Sequence, residues 1–253
     1  ETGLSGMALK PTECDLGSIT HLPVDLAVID FEGPGEVPSR AVLEELAATV
    51  DVRVTVPVRA DGFDPLGDDS RFTRLPDQVG HVLVAGNPAY LSPDARKRAI
   101  APRLGAAVDR VTDAWIGTEN IERQALATGA GQFELLGPTT ERDIRSLRAA
   151  GFAGEVAVYA PTVLTREADV VLDAVGPYLA RREPVRRELS RDARTDRRAD
   201  GRVRDTLLDA AGDFAIVGDL GTVSDRVADL HRAGADAVIA YPAQGLQGIE
   251  ARR

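Results

Sequence analysis

A chain of 253 residues, 43% hydrophobic and only 4% aromatic, has the apolar mass for one large α/β domain or two small ones. Its core must be built from Ala, Val, Leu and Ile rather than from rings. A formal net charge of -10 and a pI near 4.9 set its field against nucleic acid and acidic membranes. No apolar run approaches a membrane span, no signal peptide is visible, and the lone Cys14 excludes an internal disulfide, pointing to a reducing, cytoplasmic setting.

Only Lys10 and Lys97 are lysines, and aspartate outnumbers glutamate. This balance predicts a halophilic, archaeal source in which a hydrated acidic surface keeps the protein soluble; a high-GC genome is the competing explanation. Glu1 to Gly6 precede Met7 and read as an expression remnant, leaving residues 7–253 as a single domain.

Strand and helix signals alternate along the chain. VDLAVIDF (Val24–Phe31) predicts a buried strand, followed by the turn EGPGEVPS and the helix RAVLEELAATV. DVRVTVPV (Asp51–Val58) and HVLVAG (His81–Gly86) predict the second and third strands, with helical character in PDARKRAIAPRL. AAVDRV (Ala106–Val111) predicts the fourth, followed by a helix through TENIERQALATG. GQFELLG (Gly131–Gly137) predicts the fifth strand. In PTTERDIRSLRAAG, Thr139 or Thr140 can cap a helix that ends at Gly151. EVAVYAP (Glu155–Pro161) predicts the sixth strand, and a long helical region follows from Thr165 to about Ala211. DFAIVGD (Asp213–Asp219) and DAVIAYP (Asp236–Pro242) predict the seventh and eighth.

Eight strands, most followed by a helix, predict a single-domain (β/α)8 TIM barrel. An open doubly wound sheet is the rival, but Pro34 and Pro38 stand where its glycine-rich dinucleotide turn should be. The charge-dense run LARREPVRRELSRDARTDRRADGRVRD reads as a solvated helix pair with internal ion pairs. As an arm for nucleic acid it lacks interleaved aromatics.

In such a barrel, function lies at the C-terminal ends of the strands. The polar residues predicted there are Asp30, Glu32, Arg59, Asp61, Asn87, Asp113, Trp115, Glu134, Tyr159, Asp219, Tyr241 and Gln244. The loops Gly218-Asp219-Leu220-Gly221-Thr222 and Ala243-Gln244-Gly245 have the small residues of an anion site at a helix start. They are equally those of an ordinary turn capped by Asp219 or Thr222. Asp30 and Glu32 form a candidate carboxylate pair for acid–base work or a solvated strand end. Arg59 offers a fork for an anionic tail, or a partner for Asp30 or Asp61.

The segment LLDAAGDFAIVGDLGTVSDRVADLHRAGADAVIAYP resembles the C-terminal part of the bacterial-luciferase-like superfamily, whose members commonly end in vGtpeeVaeRlaeL…AGaDhvvl. Gly218, Val223, Arg226, Leu230 and Ala233-Gly234-Ala235-Asp236 fall on that pattern. With RAAGFAGEVAVYAP included, the likeness covers about the last two-fifths of the chain. It implies a (β/α)8 barrel that binds FMN or a deazaflavin coenzyme, passes hydride to or from a small organic substrate, and pairs as a homodimer. It also implies a cofactor phosphate near Gly218, Asp219, Gly221, Thr222 and Gln244, with Arg59, Asn87 and Tyr159 lining the ring or substrate pocket.

Asp219 departs from the small hydroxyl residue frequent at its position, and a carboxylate there repels a phosphate unless it turns away. With no motif of the superfamily from the start of the chain through the fifth strand, the alternative is a non-catalytic barrel acting in interaction or regulation. Other chemistries have less support. Asp61, Asp64, Asp68 and Asp69 lack EF-hand spacing, three scattered histidines make no zinc site, and no nucleophile elbow exists. A Schiff-base aldolase needs a lysine at a strand end, and neither lysine is expected at one.

Overall fold

The computed structural model describes residues 2–21, 24–88 and 91–246. Among the described residues nine strands form one parallel sheet: β1 (Gly6–Leu9), β2 (Leu26–Ile29), β3 (Asp51–Pro57), β4 (Gly80–Val84), β5 (Trp115–Gly117), β6 (Gly131–Leu135), β7 (Val156–Val163), β8 (Ile216–Val217) and β9 (Ala237–Pro242). β1 to β7 pair in sequence, β7 pairs β9, and β9 pairs β1, so eight strands close into a ring. This is the (β/α)8 barrel that the alternation predicts.

The membership of the ring differs from the sequence expectation at three places. The expected fourth strand, Ala106–Val111, lies in and just after a helix over Ile100–Val108, whose Leu104 and Ala107 are buried three residues apart on one face. The strand itself is the three-residue β5. β1 was not expected: its four residues are all buried, so GMAL shows no alternation. Residues set aside as a remnant take part in it. Gly6 opens β1, Ser5 N–H donates to Val238 O, and Ser5 Oγ accepts from Val238 N–H. The seventh expected strand shrinks to β8, which pairs only with Thr162 and Val163 at the top of β7, outside the closed ring.

The helices that wrap the ring are α1 (Arg40–Ala47), α2 (Pro93–Lys97), α3 (Ile100–Val108), α4 (Glu122–Ala127), α5 (Thr140–Ala149), α6 (Ala168–Leu179), α7 (Glu183–Glu188), α8 (Gly201–Phe214) and α9 (Leu220–Ala233). α9 shows why such residues make a helix. Asp219 caps its start, Val223, Val227, Leu230 and Ala233 recur on its buried face, and Gly234 ends it at φ 113°. That face packs with Ile144 of α5 and with Val156, Val158 and Val238 of the sheet. Arg148 ties the lower ends together by donating to Gly234 O, Phe152 O and Gly154 O and pairing with Asp236. The charge-dense run folds as α7, part of α8 and a loop. Its arginines pair with acids such as Glu183, Asp173 and Asp169.

Alternation along each strand sends one set of side chains outward to the helices and the other into the barrel. The inner set includes Ala8, Val28, Val82, Trp115, Phe133, Ala157, Tyr159 and Ile239. The N-terminal mouth is closed by Trp115. Its ring stacks on Phe133 (5.8 Å, 17°), its Nε1 donates to Glu155 (2.7 Å), and the Arg53 guanidinium lies 4.0 Å above it. Asp113, expected at the opposite rim, pairs with Arg53 at this end (2.8 Å). Asp113 and Trp115 are therefore corrected from the functional rim to the basal plug, because β5 starts after Asp113 instead of ending before it.

Candidate active site at the C-terminal mouth

Four polar side chains converge at the C-terminal mouth. Lys10 follows β1 directly and Asp30 follows β2, one step beyond the paired Leu9 and Ile29. Thr55 of β3 stands one step beyond the paired Ile29 and Val54, which puts Lys10, Asp30 and Thr55 at one level on three adjacent strands. Tyr159 of β7 reaches across and donates its hydroxyl to Asp30 Oδ2 (3.2 Å). The Tyr159 ring stacks on Tyr241 of β9 (6.1 Å, 11°) and meets Phe133 edge-on.

A second set closes the row on the rim side. Lys10 Nζ donates to Tyr241 Oη (2.9 Å) and Glu13 Oε1 (3.0 Å), and Tyr241 Oη donates to Glu13 Oε2 (2.5 Å). Glu32 accepts from Thr12 N–H (2.8 Å) and its hydroxyl (2.7 Å). Beside this set lies a small cavity of about 10 Å³, lined by Lys10, Glu13, Cys14, Tyr241 and Leu246 among others. That is room for about one water.

Burial pushes the Asp30 carboxyl up to about 7. The Lys10 charge and the Tyr159 hydrogen bond pull it down, and Glu32 and Glu13 push it further up. Asp30 as a residue is partly exposed, while its carboxyl is crowded by protein. Burial, then the neighbouring Asp30, holds the Tyr159 phenol well above the ordinary tyrosine range. Burial, then the Glu13 hydrogen bond, raises Tyr241 to about 12. Burial alone would lower the Lys10 ammonium, but Tyr241 and Glu13 outweigh it and hold it above its ordinary value. Lys10 does stand at a strand end, contrary to the sequence expectation. Thr55 Oγ1 is buried and has no hydrogen-bond partner among the described residues.

Of the residues expected at the site, Tyr159, Asp30 and Tyr241 meet here. Gly218, Asp219, Gly221 and Thr222 form a separate corner at the start of α9. There Asp219 Oδ1 accepts from Thr222 N–H and Thr222 Oγ1 (both 2.8 Å), and Arg166 donates to Thr222 Oγ1 (2.6 Å). Hydrogen bonds from Thr222 hold the Asp219 carboxyl below its ordinary range. Asn87 and Gln244 are exposed on the loops after β4 and β9. Arg59 joins neither group. It is 6% exposed and donates to the backbone oxygens of Arg96 (3.1 Å) and Arg98 (3.4 Å), pinning the link between α2 and α3. It pairs with neither Asp30 nor Asp61, and Asp61 instead receives Arg98 (2.5 Å). Glu134 lies on the outward face of β6, where Thr118 Oγ1 donates to it (2.8 Å).

The acidic loop has a structural explanation. Asp64 is held by Arg103 and Arg98, Asp69 by Arg110, and Asp68 accepts from Ser70 N–H. Among the described residues, no group of three or more His, Cys, Asp and Glu side chains is placed to hold a metal. No helix among them is long and apolar enough to cross a membrane.

A family model described as "Family of unknown function (DUF7388)" matches residues 1–249. The chain belongs to this family. No curated protein matches this DUF7388 member. Among solved structures, its barrel is similar to an "F420-dependent secondary alcohol dehydrogenase in complex with an F420-acetone adduct". The TM-score is 0.60 at 10% identity, covering 95% of this chain and 94% of that one. At that identity the likeness is one of fold. It spans nearly the whole barrel, including the front half, where the sequence carries no motif of the luciferase-like superfamily.

Proposed function

We propose that this DUF7388 member is an oxidoreductase of the luciferase-like type, with a deazaflavin bound over the C-terminal mouth and a small organic substrate beneath it. The observation that carries the reading is a mouth lined by protonable and aromatic side chains, set in a barrel superposable over nearly its full length on a deazaflavin-dependent dehydrogenase. The neighbour favours a deazaflavin over FMN.

The residues present fit such a group on two counts. At the start of α9 an anion is already accommodated, namely the Asp219 carboxylate on Thr222 N–H and Oγ1 beside Arg166. A phosphate would use Arg166, Thr222 and the helix dipole once Asp219 turns outward. In the barrel the buried hydroxyl of Thr55 lacks a partner among the described residues, an arrangement that a bound oxygen relieves. The cofactor supplies hydride chemistry; the chain supplies orientation, an anion corner and a proton source.

The acidic, lysine-poor surface supports a setting of concentrated salt, so binding belongs in a high-salt buffer. Titration of the protein into deazaflavin, followed by cofactor fluorescence, should saturate, and Asp219→Thr should bind more tightly by removing the competing carboxylate. No binding by either protein at any cofactor concentration overturns the reading. That result would favour a non-catalytic barrel, which the self-capped α9 corner supports on its own.

A further inference from the structure

We propose that Arg59 holds a small inorganic anion, chloride above all, at the entry to α3. Arg59 follows β3 on the C-terminal side of the barrel and is 6% exposed. A cation buried this far is ordinarily paired or neutralised, because water no longer solvates its charge. Arg59 has no carboxylate partner among the described residues. The acids that follow it in sequence are taken by other arginines: Asp61 by Arg98, and Asp64 by Arg98 and Arg103. What Arg59 does meet is neutral: Nη1 donates to Arg96 O (3.1 Å) and Arg98 O (3.4 Å). Those bonds leave the other edge of the guanidinium unused. That edge begins at Nε, which is buried and has no hydrogen-bond partner among the described residues. With the adjoining N–H of Nη2 it makes a two-pronged donor suited to an anion.

Two neighbours add positive potential. Arg98 O is the carbonyl immediately before Ala99, the N-cap of α3, so the guanidinium lies against the start of a nine-residue helix. Ala99 supplies no side-chain cap, and the first turn carries no acidic residue, so nothing local offsets the positive end of the helix dipole. Arg103, early in that helix, brings a second guanidinium, itself paired with Asp64. Burial, then the Arg103 charge, lowers the Arg59 guanidinium from its ordinary value. Both causes penalise the bare cation, and a bound anion relieves both. A side chain this buried leaves no space for a nucleotide or an organic acid, which sets the class as a small monoanion. A water there would satisfy Nε but bring no charge.

The site stands whether or not a deazaflavin binds at the mouth, and its test needs no cofactor. Melting temperature is followed while sodium chloride replaces sodium gluconate at constant ionic strength, so that screening stays fixed and only the anion changes. Wild type should gain about 3–5 °C for each tenfold rise in chloride above the dissociation constant. Arg59→Met keeps an apolar stem and the backbone bond from Arg98 Nη1 to the carbonyl of residue 59 (2.8 Å). It should lose the chloride slope, whatever its starting stability. Wild-type crystals grown in sodium bromide give a readout that needs no variant: anomalous density should appear within hydrogen-bonding reach of Arg59 Nε.

A wild-type melting temperature indifferent to the exchange of anions overturns the site. So does the full chloride slope retained in Arg59→Met, which would place the responsive anion elsewhere. Bromide crystals with no anomalous density beside Nε also overturn it, and leave water as the partner of that edge.

Discussion

Asp30 and His81 are buried titratable groups whose pH effects run in opposite directions. The Asp30 carboxyl stands at about 7 against an ordinary 3.8, so the folded state holds its proton more tightly than the unfolded chain. The stability tied to that proton is fully present below pH 3.8 and is lost as pH rises to about 7. Asp30→Asn should therefore raise the melting temperature at pH 8 and leave it little changed at pH 4, as measured by calorimetry. His81 on β4 touches the Phe72 ring (5.5 Å), and burial, then the Arg53 charge, lowers it to about 4. Its neutral form stabilises the fold above its ordinary 6.5, and that contribution is lost as pH falls to about 4. His81→Leu should flatten the stability profile over that window. The two effects offset each other between pH 6.5 and 4, so the wild-type profile alone conceals both, and only the variant pair separates them.

Among the elements, α9 was legible and β1 and β5 were not, for physical reasons. α9 carries a capping Asp219, apolar residues at helical spacing and a terminal Gly234. β5 is three residues long, too short for a local pattern, and its Trp115 is held by a tertiary contact with Glu155. β1 has no alternation, and missing it concealed Lys10. The only available clue was a lysine in a chain that otherwise uses arginine. Arg59, a charged residue after a strand, reads as a ligand group in the sequence; in the fold its Nη1 donates to the carbonyls of Arg96 and Arg98. Two substitutions test the α9 corner by denaturant unfolding. Asp219→Ala should destabilise by about 1 kcal/mol through loss of the cap. Gly218 has φ 154°, and a Cβ there would meet Thr222 Cβ at 2.6 Å; Gly218→Ala should destabilise by more than about 1 kcal/mol. Both act on Thr222, so the double variant should not be additive.

For the whole molecule, closure was legible from eight alternating units although the ring's membership was not, because alternation fixes the count and tertiary pairing decides which segments fill it. The same scale governs charge. A net charge of -10 repels itself, and raising salt from about 0.1 M to about 1 M shortens the screening length from about 10 Å to about 3 Å. Melting temperature should rise over that range; a fall would mean that surface ion pairs outweigh the repulsion. The central claim is that a deazaflavin sits over the C-terminal mouth, and amide hydrogen exchange with and without that cofactor tests it most directly. Exchange should slow in the rim segments after β1, β2, β8 and β9, including Thr12, Glu32, Gly221 and Thr222, and stay unchanged around the basal Trp115 plug. Unchanged exchange at the rim, or protection confined to the basal end, would contradict it.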